Sequence, residues 1–134
     1  MSDAGTITYQ ALEAPIVLLV EDEALIRMAM ADALRDEGFA VIEAAYSKEA
    51  ISAVKGGMRP DVLFTDIRMP GDMDGVALAG VLQDQLPHLR VYIASGHEKG
   101  VSEARRLQNF IVKPYEPTEV AKHIKLEFEG ADAL

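Results

Sequence analysis

Ile16-Val17-Leu18-Leu19-Val20-Glu21-Asp22-Glu23 sets five apolar residues directly against three acids. The run is too short to cross a bilayer, and it is apolar at every position rather than at alternate ones. That pattern suits a parallel strand covered on both faces. The acids then stand at the strand's carboxyl end. Runs of the same kind recur at 62–64, 91–94 and 110–112, and 39–44 reads as a further strand.

Between these runs the apolar residues fall three and four apart, the helical period. Ile26, Met30, Ala33 and Leu34 make the first stripe, which Gly38 stops in the manner of a C′ glycine. Ser47 is expected to cap a second helix whose buried side is Ala50, Ile51 and Val54, ended by Gly56-Gly57. Asp74 is expected to cap a third, carrying Leu78, Val81 and Leu82 and stopped by Pro87. Pro117 suits the first turn of the last helix, with Val120, Ile124 and Phe128 inward. The stretch 98–108 is the weakest, because Gly100 interrupts it and only Val101, Ala104 and Leu107 give it an apolar side. It is expected to be short or mobile. Strands alternating with helices need right-handed crossovers, so the prediction is an α/β fold: a doubly wound, five-stranded parallel sheet in the order 2-1-3-4-5, helices on both faces. Residues 1–14 fall outside the pattern as an N-terminal arm, 15–130 form the domain, and 131–134 a tail.

A chain of 134 residues with 49% hydrophobic and 26% charged residues has the size and composition of one globular domain. It has no cysteine, which excludes disulfides and thiolate metal sites and fits a reducing, cytoplasmic setting. The start Met1-Ser2-Asp3-Ala4 lacks the basic and apolar regions of a signal peptide, and no membrane association is expected. A formal net charge of −9 repels phosphate backbones, so direct nucleic acid binding is not expected.

In such a sheet ligands bind beyond the carboxyl ends of the strands, where strand order reverses. That rule selects Glu21 and Asp22 after strand one, Asp66 after strand three, Ser95 after strand four and Lys113-Pro114 after strand five. Carboxylates crowded on one rim repel one another unless a cation sits among them. Oxygen donors without cysteine or clustered histidine favour Mg2+, with Mn2+ able to substitute. Glu21 and Asp22 are its expected holders. Asp66, at the centre, then has the position to attack phosphorus and form an acyl phosphate. Lys113 brings a positive charge to the transferring oxygens, and the Ser95 hydroxyl a hydrogen bond.

Taken in order, Val17-Leu18-Leu19-Val20-Glu21-Asp22-Glu23, Leu63-Phe64-Thr65-Asp66-Ile67-Arg68-Met69-Pro70, Ala94-Ser95-Gly96 and Val112-Lys113-Pro114-Tyr115 resemble the receiver domains of bacterial two-component response regulators. The resemblance covers residues 16–128 and implies the flavodoxin-like form of the fold. It implies that Asp66 is the phosphoacceptor, Glu21 and Asp22 the acidic pair, and the Arg68 backbone carbonyl a further metal ligand. Ser95 is then the switch hydroxyl, Phe110 the switch aromatic and Lys113 the phosphate-binding lysine, with the Lys113-Pro114 bond cis. A histidine kinase or histidine phosphotransfer protein would donate the phosphoryl group. Phosphorylation would change the surface of 98–108, strand five and the last helix for a downstream protein. The type implied is a stand-alone receiver, a phosphoacceptor with slow self-dephosphorylation rather than a turnover enzyme.

The chain departs from the family's commonest pattern at several points. Its acidic pair is Glu-Asp, Ser95 stands where Thr is common, and Phe110 lacks the hydroxyl of a tyrosine. Pro70-Gly71-Asp72-Met73-Asp74-Gly75 is one residue longer than the commonest loop. Arg68 and His97, two positions beyond Asp66 and Ser95, would flank the phosphoryl group and tune its hydrolysis. Two rivals come from other classes: a receiver-shaped adaptor that is never phosphorylated, and an aspartyl-phosphate hydrolase. The hydrolase typically needs a second acid where Arg68 stands. His88, His97 and His123 are scattered and read as surface residues.

Overall fold

A computed structural model of the chain describes residues 14–69, 73–96 and 109–133. The strands are β1 (Ile16–Val20), β2 (Ala40–Ala44), β3 (Val62–Asp66), β4 (Arg90–Ser95) and β5 (Asn109–Val112). The described helices are α1 (Ala24–Asp36), α2 (Ser47–Lys55), α3 (Gly75–Gln85) and α4 (Pro117–Ala133). The five strands form one parallel sheet in the order β2-β1-β3-β4-β5, as the pattern of apolar runs predicts. The helix expected at 98–108, His97, Pro70-Gly71-Asp72, residues 1–13 of the arm at 1–14 and Leu134 lie outside the described residues, as do the side chains of residues 131–133.

Strand alternation divides the core in two. Val17 and Leu19 of β1, Val62 and Phe64 of β3, and Tyr92 and Ala94 of β4 face one side, where Met30 and Leu34 of α1 and Ile124 of α4 cover them. Leu18 and Val20, Leu63, and Val91 and Ile93 face the other side, against Ala50 and Val54 of α2 and Leu78 and Leu82 of α3. Both faces of β1, β3 and β4 are thus buried, which is why their sequences show no polar alternation. The edge strands are only partly covered. At β2 the Arg35 guanidinium donates to the Val41 carbonyl (3.3 Å) and to Glu43 (3.2 Å), so a charged side chain occupies an edge that would otherwise be open to pairing.

Local stop and start signals act largely as the sequence suggests. Gly38 takes φ +97° just past α1 and Gly57 takes φ +114° past α2, a left-handed backbone that glycine reaches without strain. The Asp74 carboxylate accepts from the Ala77 amide at 2.8 Å and caps α3, and Pro117 opens α4. Ser47 does not cap. The N-cap of α2 is Tyr46, without a side-chain hydrogen bond. Ser47 lies one residue further in, fully buried, and its hydroxyl donates to the Met73 carbonyl at 3.0 Å. Burial against the segment leading into α3 has overridden its local capping preference.

Tyr92 ties the last helix to the sheet: its ring is buried under α4 and its hydroxyl donates to a Glu127 carboxylate oxygen at 2.5 Å. Burial, then the hydrogen bond to Glu127, push the phenol pKa well up, so it stays a donor at any ordinary pH. Tyr92→Phe is expected to lower stability by about 1 kcal/mol, as read by urea unfolding, because Glu127 stays hydrated when the hydroxyl is gone. Among the described residues no helix is long and apolar enough to cross a membrane.

Candidate functional site

The strand ends meet at the carboxyl rim of the sheet. The Glu21 amide donates to the Ala44 carbonyl (3.0 Å), so Glu21 is held by β1 and β2 together, and its side chain is buried. One carboxylate oxygen accepts from the Glu23 amide at 3.1 Å, and the other lies 3.5 Å from the Lys113 ammonium. The Arg27 guanidinium, from α1, donates to the Glu21 carbonyl at 2.8 Å and pins the turn between β1 and α1. At the end of β3, Asp66 is also buried, and its carboxylate lies 3.1 Å from Lys113 Nζ. The Arg68 and Ile67 amides beside it help to hold its pKa down, and the Ile67 amide donates to the Ala94 carbonyl at 3.0 Å. Thr65 closes the strand end by donating its hydroxyl to the Asp66 carbonyl at 2.9 Å.

Lys113 reaches this point because β5 pairs with β4. The Lys113 amide donates to the Ser95 carbonyl at 2.9 Å, and the Lys113-Pro114 bond is cis. Ser95 is fully buried, one residue beyond Ala94, which pairs with Asp66. Glu21, Asp22 and Asp66 each offer a carboxylate oxygen, and the three oxygens lie within 4.8 Å of one another. Asp22, Glu23, Asp66, Arg68, Met69 and Asp74 line the open mouth above them, a cavity of 520 Å³.

The electrostatics are those of acids held together against their preference. Burial raises the pKa of Asp66, and Lys113 only partly offsets it. Burial likewise raises Glu21, against the Glu23 amide and the Lys113 charge, while the Asp66 charge adds to the rise. For Lys113 burial works downward, but the charges and hydrogen bonds of Asp66 and Glu21 together outweigh it and the net pKa is raised. The cluster holds more negative charge than one ammonium balances. An oxygen-only donor set of this size fits a hard, hydrated divalent cation such as Mg2+.

Of the residues expected at the site, the structure brings Glu21, Asp22, Asp66 and Lys113 together, with Ser95 on the same rim. Arg68 is exposed at the mouth. Phe110 is half-buried on β5 opposite Ile93 and packs against the core under α2 and α3. His88 and His123 are exposed.

Three neighbours escaped the sequence reading. Arg27 looks like any surface arginine of a helix. Gly75 opens α3 so close to β3 that a Cβ would stand 2.4 Å from the Asp66 carbonyl oxygen. Tyr115 packs edge-on against Phe64 (ring centroids 5.7 Å apart), and its buried hydroxyl has no hydrogen-bond partner among the described residues. Burial, then the charges of Glu21 and Asp66, push its pKa far up. Tyr115 also lines an apolar groove of 580 Å³ with Leu25, Ile26, Ala29 and Pro114, and Lys113 joins the groove to the acidic site.

Residues 17–125 match the family described as the response regulator receiver domain. The chain is 32% identical over 111 residues to the chemotaxis protein CheY of Thermotoga maritima, covering 79% of this chain and 91% of that protein. It is 34% identical over 122 residues to the sensor kinase CckA of Brucella abortus, covering 87% of this chain but only 13% of the kinase. Among solved structures, a response regulator receiver protein from Sinorhizobium medicae superposes with a TM-score of 0.75 at 29% identity, covering 87% of this chain and 97% of that one. Fold, strand order and sequence agree: the chain belongs to the response regulator receiver domain family, the phosphorylation-dependent signalling modules of two-component systems.

Proposed function

We propose that this protein is a signalling switch in which Asp66 takes a phosphoryl group from a phosphohistidine of a histidine kinase or histidine phosphotransfer protein. The observation that carries the reading is the pairing of a buried, strand-end Asp66 with Lys113 at 3.1 Å, inside a triad of carboxylates that converge within 4.8 Å. An Asp66 carboxylate oxygen attacks phosphorus, the P–N bond to the donor imidazole breaks, and an acyl phosphate forms. Lys113 leaves its contact with the free carboxylate to neutralise a phosphoryl oxygen, and Ser95 hydrogen-bonds another. Water later attacks phosphorus and restores the carboxylate. Glu21, Asp22, Asp66 and the Arg68 backbone carbonyl would hold Mg2+ or Mn2+, which supplies positive charge to the acids and to the transferring oxygens. Arg68 at the mouth sets how readily water reaches the phosphoryl group. The apolar groove beside Lys113 gives the protein donor a surface to rest on while its imidazole reaches Asp66. Phe110 and the segment 98–108 would carry the change to a downstream protein target.

Incubation with phosphoramidate and Mg2+ is expected to add one phosphoryl group to the intact mass, and chelation with EDTA to prevent it. A chain that ignores both phosphoramidate and beryllofluoride would be a receiver-shaped adaptor instead.

The raised acid pKa values also set a pH dependence. Protonated Asp66 and Glu21 favour the metal-free fold, and this stability is present below their ordinary values of 3.8 and 4.5 and lost as pH rises through the raised folded values. Lys113 stays charged throughout this range. The thermal stabilisation produced by Mg2+ is therefore expected to grow as pH rises above these ordinary values, reaching about 1.4 kcal/mol at tenfold excess over its dissociation constant. A stabilisation independent of pH would contradict the cation's place among these acids.

A further inference from the structure

We infer that Ser47, outside the rim and never in contact with the acidic cluster, is a positioning residue for the cation site. The inference rests on the reading above and extends it to a residue on another element. Ser47 is the first residue of α2 and is fully buried, an unusual place for a serine that does no capping. Among the described residues its hydroxyl makes two contacts, both to the segment that runs from Asp66 to α3: it donates to the Met73 carbonyl at 3.0 Å and lies 3.9 Å from Met69 Sδ. Met69 is itself buried, and it lines the mouth of the acidic site together with Arg68, its chain neighbour, and Asp74, the chain neighbour of Met73. One hydroxyl thus grips both described flanks of the strand-to-helix connection.

Further bonds hold the described parts of that connection. The Gly75 amide donates to the Ile67 carbonyl at 2.8 Å, and Asp74 caps α3 through Ala77. Between these points Arg68 is exposed, and its carbonyl is the ligand proposed for the cation. A carbonyl ligand has no side-chain freedom, so its aim is set by the backbone on either side. Small hard cations require near-ideal octahedral geometry, so tilting a single ligand weakens binding strongly. Ser47 fixes that aim from the far side of the segment, through Met73 and Met69, without touching ligand or phosphoryl group.

Ser47→Ala keeps the volume of the site and removes the donor; Ser47→Thr keeps the hydroxyl. In metal-free protein, hydrogen exchange at the Arg68, Met69 and Met73 amides is expected to accelerate in Ser47→Ala relative to the amides of β1 and β4. The Mg2+ dissociation constant, titrated by the chemical shifts of Asp22 and Asp66, is expected to rise about tenfold. Ser47→Thr is expected to return both values toward wild type. A Ser47→Ala protein with lower global stability but unchanged local exchange and Mg2+ affinity would overturn the inference and leave Ser47 a plain packing residue. So would a Ser47→Thr protein that behaves like Ser47→Ala, since the hydroxyl would not then be the agent. Wild type that binds no Mg2+ in the same titration would instead refute the underlying switch reading, so the two failures are told apart.

Discussion

Asp66→Asn is expected to abolish phosphoryl uptake and at the same time to give a slightly more stable metal-free protein. An amide nitrogen or oxygen does not displace the donor imidazole from phosphorus, so no adduct should appear in the intact mass under conditions that load the wild type fully. The stability change follows from the same side chain. Burial raises the Asp66 pKa, so ionising the carboxylate that chemistry requires costs the metal-free fold some stability. Asparagine occupies the same volume without that charge. Lys113 loses its 3.1 Å partner but keeps Glu21 at 3.5 Å, which limits the gain. The net expectation is about 1 kcal/mol of added stability by urea unfolding, the usual sign for a site in which function opposes stability. Together the two readings separate loss of chemistry from loss of fold. A marked fall in stability would mean that the Lys113 pair outweighs burial, contrary to the raised pKa.

Gly75→Ala carries the largest expected effect on the fold. The first turn of α3 lies directly on the end of β3, where an added Cβ would stand 2.4 Å from the Asp66 carbonyl oxygen and 3.0 Å from Ile67 Cα. Both are backbone atoms of a buried strand end, so no side chain can swing aside. The helix has to lift off or the strand end has to move, and we expect a loss of about 3 kcal/mol by urea unfolding. Moving the strand end also displaces the Asp66 carboxylate, so phosphoryl uptake should slow in whatever fraction stays folded. Gly80, in the same helix, has open space where a Cβ would go. Gly80→Ala is therefore expected to stabilise by about 0.5–1 kcal/mol through helix propensity alone. The opposite signs at two glycines of one helix isolate the close approach as the cause.

Much of the fold was legible because it depends on local pattern. Continuous apolar runs mark β1, β3 and β4 as strands buried on both faces, and the acids that end two of them mark the ligand rim. Gly38, Asp74 and Pro117 act within a turn of themselves, so their roles can be read from sequence. What escaped depends on contacts between distant segments. Ser47 carries a capping residue's signature, yet its partner is Met73, from another element, and only tertiary burial decides between the two. Gly75 reads as an ordinary helix start, since nothing in sequence says how near the Asp66 carbonyl will come. Tyr115 reads as the residue after Lys113-Pro114, and its isolated hydroxyl emerges only once Phe64 and the groove wall enclose it. Glu21 could be placed at the rim from its position after β1. Its division between the Glu23 amide and Lys113 could not, because that depends on where β5 brings the lysine.

The reading as a whole requires one carboxylate, at the end of β3, to become an acyl phosphate. Borohydride reduces an acyl phosphate of aspartate to homoserine, which peptide sequencing by mass spectrometry locates. After treatment with phosphoramidate and Mg2+, homoserine is expected at position 66 and at no other acid, and nowhere when EDTA is present. Homoserine at Asp74 or another exposed aspartate with Asp66 unmodified, or no conversion anywhere in protein shown to be folded, would contradict it.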